Sequence, residues 1–459
     1  MGDRLTPLDA TFLELEEADE SSHMHIGWAM VFDRLPGGGT PAVARVRQLL
    51  DERLEPLPRF RRRLSSPRTG RLSWPSWVPD PGFDLANHVR RARLPRPGGE
   101  TELLEWLGDF YSHRLDRARP LWEMTLLDGL AGGRWALAAK VHHSLIDGVS
   151  GSSVTNVILD AEREPAPGSK APLAGLVAGN GDGGPGSRLG WLASLPSRLR
   201  GMAEVIVRDE LIGAPRTSIN VRIGGKRRLA AVRVPLEDLK RIKRSLGGTV
   251  NDVVLAATAG GLRRLFEARG EGGEEGFRAM VPVSMRGAGE GLALGNRVSS
   301  LFVELPVAEP DPLLRYRKTV AAAEGLKRGD HAESAEALVE LAGAAPPLIH
   351  GAVARLAFTP RAFNVTITNV PGPQTTLYAL GAPLLQTFPL VPIFAGHAVG
   401  VAVVSYDGEV TFGLNADRAR VPDLDVLKRG IAESLAELGE TAGDLERGRT
   451  ALAERLALG

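Results

Sequence analysis

The sequence predicts an α/β (α+β) protein of two domains, and three observations carry that prediction. Segments of strand length recur between stripes of helical period in both halves of the chain, the pattern of sheets backed by helices. At 459 residues the chain is long for a single core. A stretch rich in Pro, Gly, Ala and Ser starts at Glu162 and divides it. The expected division is a first domain at 1–161, a linker and connecting helix at 162–216, and a second domain at 217–459.

In the first half, Met24, Ile26, Trp28, Met30 and Phe32 alternate through residues 22–33, which predicts a half-buried strand. Val43, Val46, Leu49 and Leu50 share one face of a helix over 42–54. The basic cluster Arg59, Arg61, Arg62 and Arg63 follows. It suits either phosphates or an anionic membrane surface, and a solvated helix end or loop is the commoner use of such a run. Residues 101–114 carry Leu103, Leu104, Trp106, Leu107 and Phe110 on a second helix. Two neighbouring strands, 121–128 and 134–141, are joined by Gly129 to Gly133 and deliver His142 and His143. The chain then turns at Asp147-Gly148, and Val154 to Leu159 starts a further helix.

From Glu162 to about Pro196 glycine and proline mark a flexible linker. Gly179, Gly181 and Gly184 match G-x-G-x-x-G by letter, but no strand precedes them, so a dinucleotide site is rejected. Leu189, Leu192, Leu195 and Leu199 restore helical period over 188–212. That helix is expected to pack on the second domain, although Trp191 and the flanking arginines also permit contact with a membrane surface.

In the second half Pro235 opens a helix that stops at Gly247-Gly248. Thr249 starts the next, and Thr249 and Asp252 have the spacing of a capping box. Strands are expected at 277–284 and 298–305, a long helix from Asp311-Pro312, and a strand from Phe363 to Val370 that stops at Pro371-Gly372-Pro373. A hairpin turns at Asp407-Gly408. Leu424, Leu427, Ile431, Leu435 and Leu438 make a closing helix with a core-facing stripe.

Composition excludes several functions. The hydrophobic fraction of 43% and charged fraction of 24% are those of a soluble globular protein. A formal net charge of +1 gives no basic field for nucleic acid. With a cysteine count of 0 there is neither a disulfide nor a thiol nucleophile, which is compatible with the cytosol. Asp3, Asp9, Glu14, Glu16 and Glu17 make the N-terminus too acidic for a signal peptide. Leu390 to Val404, the most apolar long stretch, is too short and interrupted to span a bilayer.

The stretch Val141-His142-His143-Ser144-Leu145-Ile146-Asp147-Gly148 is where the chemistry is expected. Adjacent strand residues point to opposite faces, so one histidine faces a site while the other packs or hydrogen-bonds behind it. Asp147, across the turn, can close a local hydrogen bond or pair with a distant cation. This suits one positioned general base with a structural carboxylate. The alternative on the residues alone is a satisfied, partly buried pair beside an ordinary turn. A metal site is not expected, because the spacing of His142, His143 and Asp147 is poor and no second cluster completes it.

His142 to Gly148 matches the HHxxxDG motif of the acyl-CoA-dependent acyltransferase and condensation superfamily. Phe83 to Arg90, Leu94-Pro95 and Leu115 to Glu123 resemble the bacterial wax ester synthase/diacylglycerol acyltransferase family, as do Pro7-Leu8-Asp9, Asn251 to Ala256, Asn369 to Pro373 and Ser405 to Gly408. The resemblance implies two chloramphenicol-acetyltransferase-like domains, each a mixed sheet backed by helices, with an interdomain tunnel reached by acyl-CoA from one mouth and the acceptor from the other. It implies His143 as general base, with His142 supporting it or lining the tunnel. A neutral imidazole near its ordinary pKa of about 6.5 suits that role. The thiolate of coenzyme A can take the proton back, so no covalent intermediate is needed.

Relatives pair the motif aspartate with an arginine of the second domain, which makes Asp147 architectural and Arg286 its expected partner. Asn251, Thr368 or a backbone N–H near Gly148 would supply the oxyanion donor, with Asn296 a weaker candidate. The implied reaction moves a long-chain acyl group from acyl-CoA to diacylglycerol or a fatty alcohol, with acyl-CoA as substrate and no cofactor. The expected location is cytoplasmic, at the inner membrane face or a lipid droplet. A different acceptor, or a catalytically silent lipid-binding protein, are the alternatives.

Overall fold

The computed structural model describes residues 3–55, 57–66, 74–145, 158–164, 213–284, 298–328 and 358–457. The expected linker and the helix at 188–212 lie outside the described residues, as does most of the segment Val154 to Leu159.

The first half opens with β1 (Asp3–Arg4) and α1 (Pro7–Ala18), followed by β2 (His25–Phe32) and α2 (Val43–Arg53). Two short strands, β3 (Arg62–Leu64) and β4 (Ser76–Pro79), join β1 in a small sheet of order β1-β4-β3. A single turn, α3 (Leu85–His88), leads into β5 (Val89–Arg93), and α4 (Glu100–Tyr111) precedes β6 (Trp122–Asp128) and β7 (Trp135–His142). The second half begins with β8 (Arg227–Pro235), α5 (Leu236–Leu246) and α6 (Val250–Ala268). After these come β9 (Arg278–Ser284), β10 (Val298–Glu304), α7 (Pro312–Arg328) and β11 (Val365–Pro371). The chain closes with β12 (Tyr378–Ala379), β13 (Ala382–Leu390), β14 (Val399–Tyr406), β15 (Glu409–Asp417) and α8 (Leu424–Ala457).

The two larger sheets are six-stranded, ordered β12-β13-β2-β7-β6-β5 and β10-β9-β11-β14-β15-β8. Both are mixed: β5 runs parallel to β6, and β11 runs parallel to β9 and β14. The topology crosses the division expected from sequence, because β12 and β13 belong to the second half yet extend the sheet of the first. Gln386 pairs with Val31 and Leu390 with Gly27.

Strand β2 is buried on both faces, not one as its alternation suggested. Ile26, Trp28, Met30 and Phe32 pack into one core with Trp122 and Trp135, while Ala29 and Val31 pack into another with Leu107, Leu229 and Phe388. The second face is covered by α4, whose Tyr111 crosses the strand at Gly27. A Cβ on Gly27 would lie 2.2 Å from the Tyr111 ring, so only glycine fits. The Tyr111 hydroxyl donates to the Ala139 carbonyl at 2.8 Å and fixes the helix on the sheet.

Strands β8 and β13 and helix α1 were not predicted. β13 carries Pro383 and Pro389, which argue against a central strand, and its register shifts between Leu384 and Gln386. The expected helices at 235–247 and from Thr249 are α5 and α6. Thr249 and Asp252 form the predicted capping box, with the Asp252 N–H 3.3 Å from Thr249 Oγ1 and the Thr249 N–H 2.7 Å from Asp252 Oδ2. In α8 the stripe Leu424, Leu427, Ile431, Leu435 and Leu438 is core, packed against α6.

Candidate active site

Strand β7 ends at His142 between two hydrogen-bonding neighbours. Its residue His142 lies opposite His25 of β2, and its N–H donates to the Leu121 carbonyl at 2.9 Å. The His143 N–H still reaches the Met24 carbonyl at 2.8 Å. The Leu145 N–H then returns to the His142 carbonyl at 2.9 Å, which turns the chain out of the sheet. The two imidazoles leave this strand end in different directions, as the alternation of a strand requires.

His142 is buried. The Ser144 backbone N–H donates to its Nδ1 at 3.1 Å, and the Ser144 hydroxyl lies 2.7 Å from the same nitrogen. A backbone N–H can only donate, so Nδ1 is the acceptor and the ring hydrogen sits on Nε2. That Nε2 faces Glu16 of α1, 3.6 Å from Oε2.

Glu16 is 2% exposed and accepts from Arg117 Nη2 at 2.8 Å and Arg117 Nε at 3.2 Å. Arg114 lies 3.3 Å from the same oxygen, and His25 Nε2 lies 3.7 Å from Oε1. Burial alone would raise this carboxyl. The contact with His142, the imidazole of His25 and the charge of Arg117 override burial and hold it well below the usual carboxylate range.

His143 is half-buried, and its ring stacks on Phe12 of α1 with centroids 3.9 Å apart and planes at 19°. Its Nδ1 is buried with no hydrogen-bond partner among the described residues. Burial pushes its pKa down to about 4; its own backbone carbonyl opposes that shift and His142 adds to it. The sequence-based expectation of an ordinary imidazole near 6.5 is corrected here. Burial of the ring disfavours the cation, so the neutral, proton-accepting form prevails at neutral pH.

The histidines lie beside an apolar cluster that joins the two halves. Phe12, Leu15 and Met24 of the first half pack with Met280, Phe363 and Phe394 of the second. On the second half, Asn251 in the first turn of α6 accepts from Asn369 Nδ2 of β11 at 3.3 Å. Thr368, next to Asn369, is half-buried. Among the described residues neither Asn251 nor Thr368 hydrogen-bonds to His143. Asp147, Gly148, Arg286 and Asn296 lie outside the described residues.

The basic cluster is engaged internally. Arg59 is buried against Asp9 at 3.5 Å, Arg61 meets Asp51 at 2.7 Å, and Arg63 lies 3.8 Å from Asp80. Among the described residues no group of three or more His, Asp or Glu side chains is arranged to hold a metal ion.

Sequence reasoning missed Glu16 and Phe12, because the acidic N-terminus was weighed only against a signal peptide. A signal was present. Thr6-Pro7-Leu8-Asp9 has both capping-box spacing and a proline at the first helical position, and the structure forms that box. Phe12 and Glu16, four apart, then share a face.

Comparison with known proteins agrees with the sequence motifs. Residues 5–254 match the wax ester synthase/diacylglycerol acyltransferase catalytic domain, and residues 294–439 match the corresponding C-terminal domain. The chain is 34% identical over 447 residues to the probable diacylglycerol O-acyltransferase tgs1 of Mycobacterium tuberculosis, covering 95% of both chains. It is 33% identical over 471 residues to the probable diacylglycerol O-acyltransferase tgs2 of the same species, covering 96% of this chain and 100% of that one. The structure resembles the wax ester synthase/diacylglycerol acyltransferase from Marinobacter aquaeolei VT8, with a TM-score of 0.72, 30% identity, and coverage of 96% of this chain and 100% of that one. The first condensation domain of the calcium-dependent antibiotic synthetase shares the fold, with a TM-score of 0.64, 19% identity, and coverage of 96% and 97%.

Proposed function

The chain belongs to the wax ester synthase/diacylglycerol acyltransferase family, and on that premise we propose that it transfers a long-chain acyl group from acyl-CoA to diacylglycerol or a fatty alcohol. The observation that carries the reading is His143: a neutral imidazole at a strand end, stacked on Phe12 beside an apolar cluster shared by the two halves. Such a site suits an apolar acyl chain and a base that is already unprotonated at neutral pH.

The acceptor hydroxyl gives its proton to His143 Nε2 as its oxygen attacks the thioester carbon. The C–O bond forms, the C–S bond breaks, and the departing thiolate takes the proton back from the imidazolium. Proton and electron pairs balance without an acyl-enzyme, and acyl-CoA enters as a substrate with no further cofactor. Asp147 and Arg286 serve as an architectural pair in this scheme. The oxyanion donor comes from Asn251, Thr368, Asn296 or a backbone N–H near Gly148.

Among the described residues no helix is long and apolar enough to cross a membrane. The acceptors are insoluble, so the proposed working location is a peripheral one, at the cytoplasmic face of the membrane or a lipid-droplet surface.

The test is coenzyme A release from palmitoyl-CoA with and without diacylglycerol or hexadecanol. Release should depend on the acceptor, and His143→Ala should lower kcat by about 10²–10⁴-fold, the range of a positioned general base. Release that survives the mutation would move the chemistry off His143. No release with either acceptor would favour another acceptor or a lipid-binding role.

A further inference from the structure

Helix α1 carries two side chains that lie against the histidine pair: Phe12, which also belongs to the apolar cluster between the halves, and Glu16. We propose that α1 is the positioning element of the active site: Glu16 holds the proton of His142 on Nε2, and Phe12, one turn earlier, holds the ring face of His143. This inference rests on His143 being the base.

The geometry of Glu16 argues for a role beyond docking the helix. Phe12, Leu13 and Leu15 are already buried and bind α1 to the body of the protein. A carboxylate buried among them adds a desolvation cost that docking does not require. Two arginines keep it anionic, and an anionic carboxylate can only accept hydrogen bonds. The groups facing it are His142 Nε2, His25 Nε2, Arg114 and Arg117, with His23 stacked on His25 at 5.7 Å.

The hydrogen of His142 is the one this carboxylate favours: its charge lies 3.6 Å from Nε2, beyond hydrogen-bond length, and acts together with the Ser144 N–H on Nδ1. With the hydrogen on Nε2, Nδ1 is free to accept the Ser144 N–H, and the turn after β7 closes. With the hydrogen on Nδ1, it would oppose the Ser144 N–H at 3.1 Å and only the Ser144 hydroxyl, 2.7 Å away, could accept it, which weakens the turn. His143 sits inside that turn, so the tautomer of His142 sets where the base stands. Phe12 completes the arrangement by covering the His143 face at 3.9 Å. The spacing of Phe12 and Glu16 lets one rigid helix hold both rings in register.

The test compares Glu16→Ala, Glu16→Gln, Phe12→Leu and Thr6→Ala with the native chain. Thr6 caps α1 without touching either histidine. Three readouts are used: kcat and KM for palmitoyl-CoA, the ¹⁵N shifts of the His142 ring nitrogens, and the melting temperature. In native protein the ¹⁵N shifts should place the hydrogen on Nε2, and in Glu16→Ala they should show a mixture. Glu16→Ala should lose about 10–100-fold in kcat with KM held within about twofold, the scale of a small misplacement of a catalytic group. Glu16→Gln, which keeps an acceptor, should recover most of that loss.

Phe12→Leu admits water to the His143 ring, with His142 its titratable neighbour, and should move the acid limb of kcat/KM upward. Thr6→Ala should lower the melting temperature and leave kcat unchanged. If Glu16→Ala does not fold, Glu16→Met combined with Arg114→Met and Arg117→Met removes the carboxylate with both of its arginine partners and should show the same kcat loss.

A native His142 hydrogen on Nδ1 would overturn the inference. So would an unchanged tautomer with unchanged kcat in Glu16→Ala, or an equal kcat loss in Thr6→Ala. If the native chain releases no coenzyme A, the acyl-transfer reading fails, and the ¹⁵N shifts alone decide the positioning of His142.

Discussion

A general base must be unprotonated at the pH where it works, and a histidine meets that condition over a wider range when its cation is destabilised. Burial does this to His143, pushing its pKa down to about 4. The sign follows directly. The neutral form is active, so kcat/KM should fall as pH drops through about 4 and be flat with respect to this group from about pH 5 upward. A pH profile with acceptor in excess tests this, and a limb near 6.5 would mean that water reaches the ring in the free enzyme. The adjacent histidines were legible in the sequence as a site because strand, turn and motif coincide there. Their separate roles were not. It is the Ser144 backbone N–H that makes Nδ1 of His142 an acceptor, and backbone direction at a strand end is not written in residue types. Glu16 was invisible for a related reason. A buried carboxylate and an exposed one are the same letter until Arg114 and Arg117 arrive from a hundred residues away.

At the scale of elements, what the sequence made plain was what depends on local rules. The capping box at Thr249, the Pro235 helix start and the hairpin at Asp407-Gly408 all form where expected. What escaped depends on tertiary contact. Strand β8 carries Arg227, Arg228 and Arg233, which mask the fact that Leu229 and Ala231 enter one core and Ala230 and Val232 another. Strand β13 has prolines and an irregular register, tolerated because it pairs with β2 on one side and only the two-residue β12 on the other. Strand β2 shows how tight the packing is. Gly27→Ala would drive a methyl group into Tyr111 and should cost about 1–3 kcal/mol, as overpacking of a filled core does. Denaturant unfolding measures it, and a neutral result would mean that α4 can move off the sheet.

For the molecule as a whole, the exchange of β13 makes the two halves one folding problem. The apolar face of β2 packs on Phe388 and Leu390 from the second half, and Leu229 and Ala231 pack there too. Asp160 adds a bridge to Tyr378 and an ion pair with Arg53 at the same edge. A chain cut to residues 1–164 therefore loses the partner strand of β2 and bares its hydrogen-bonding edge, the feature that drives strand-to-strand aggregation. The matching piece, 213–459, keeps its own six-stranded sheet but leaves β13 with only the two-residue β12 beside it. The expected outcome is that the first piece is insoluble alone and becomes soluble when the two are expressed together, pairing through β2 and β13. Soluble recovery, far-ultraviolet circular dichroism and co-purification measure this. A first piece that is folded and monomeric by itself would show that its sheet closes without the borrowed strand, and the site would then be a contact between two independent domains.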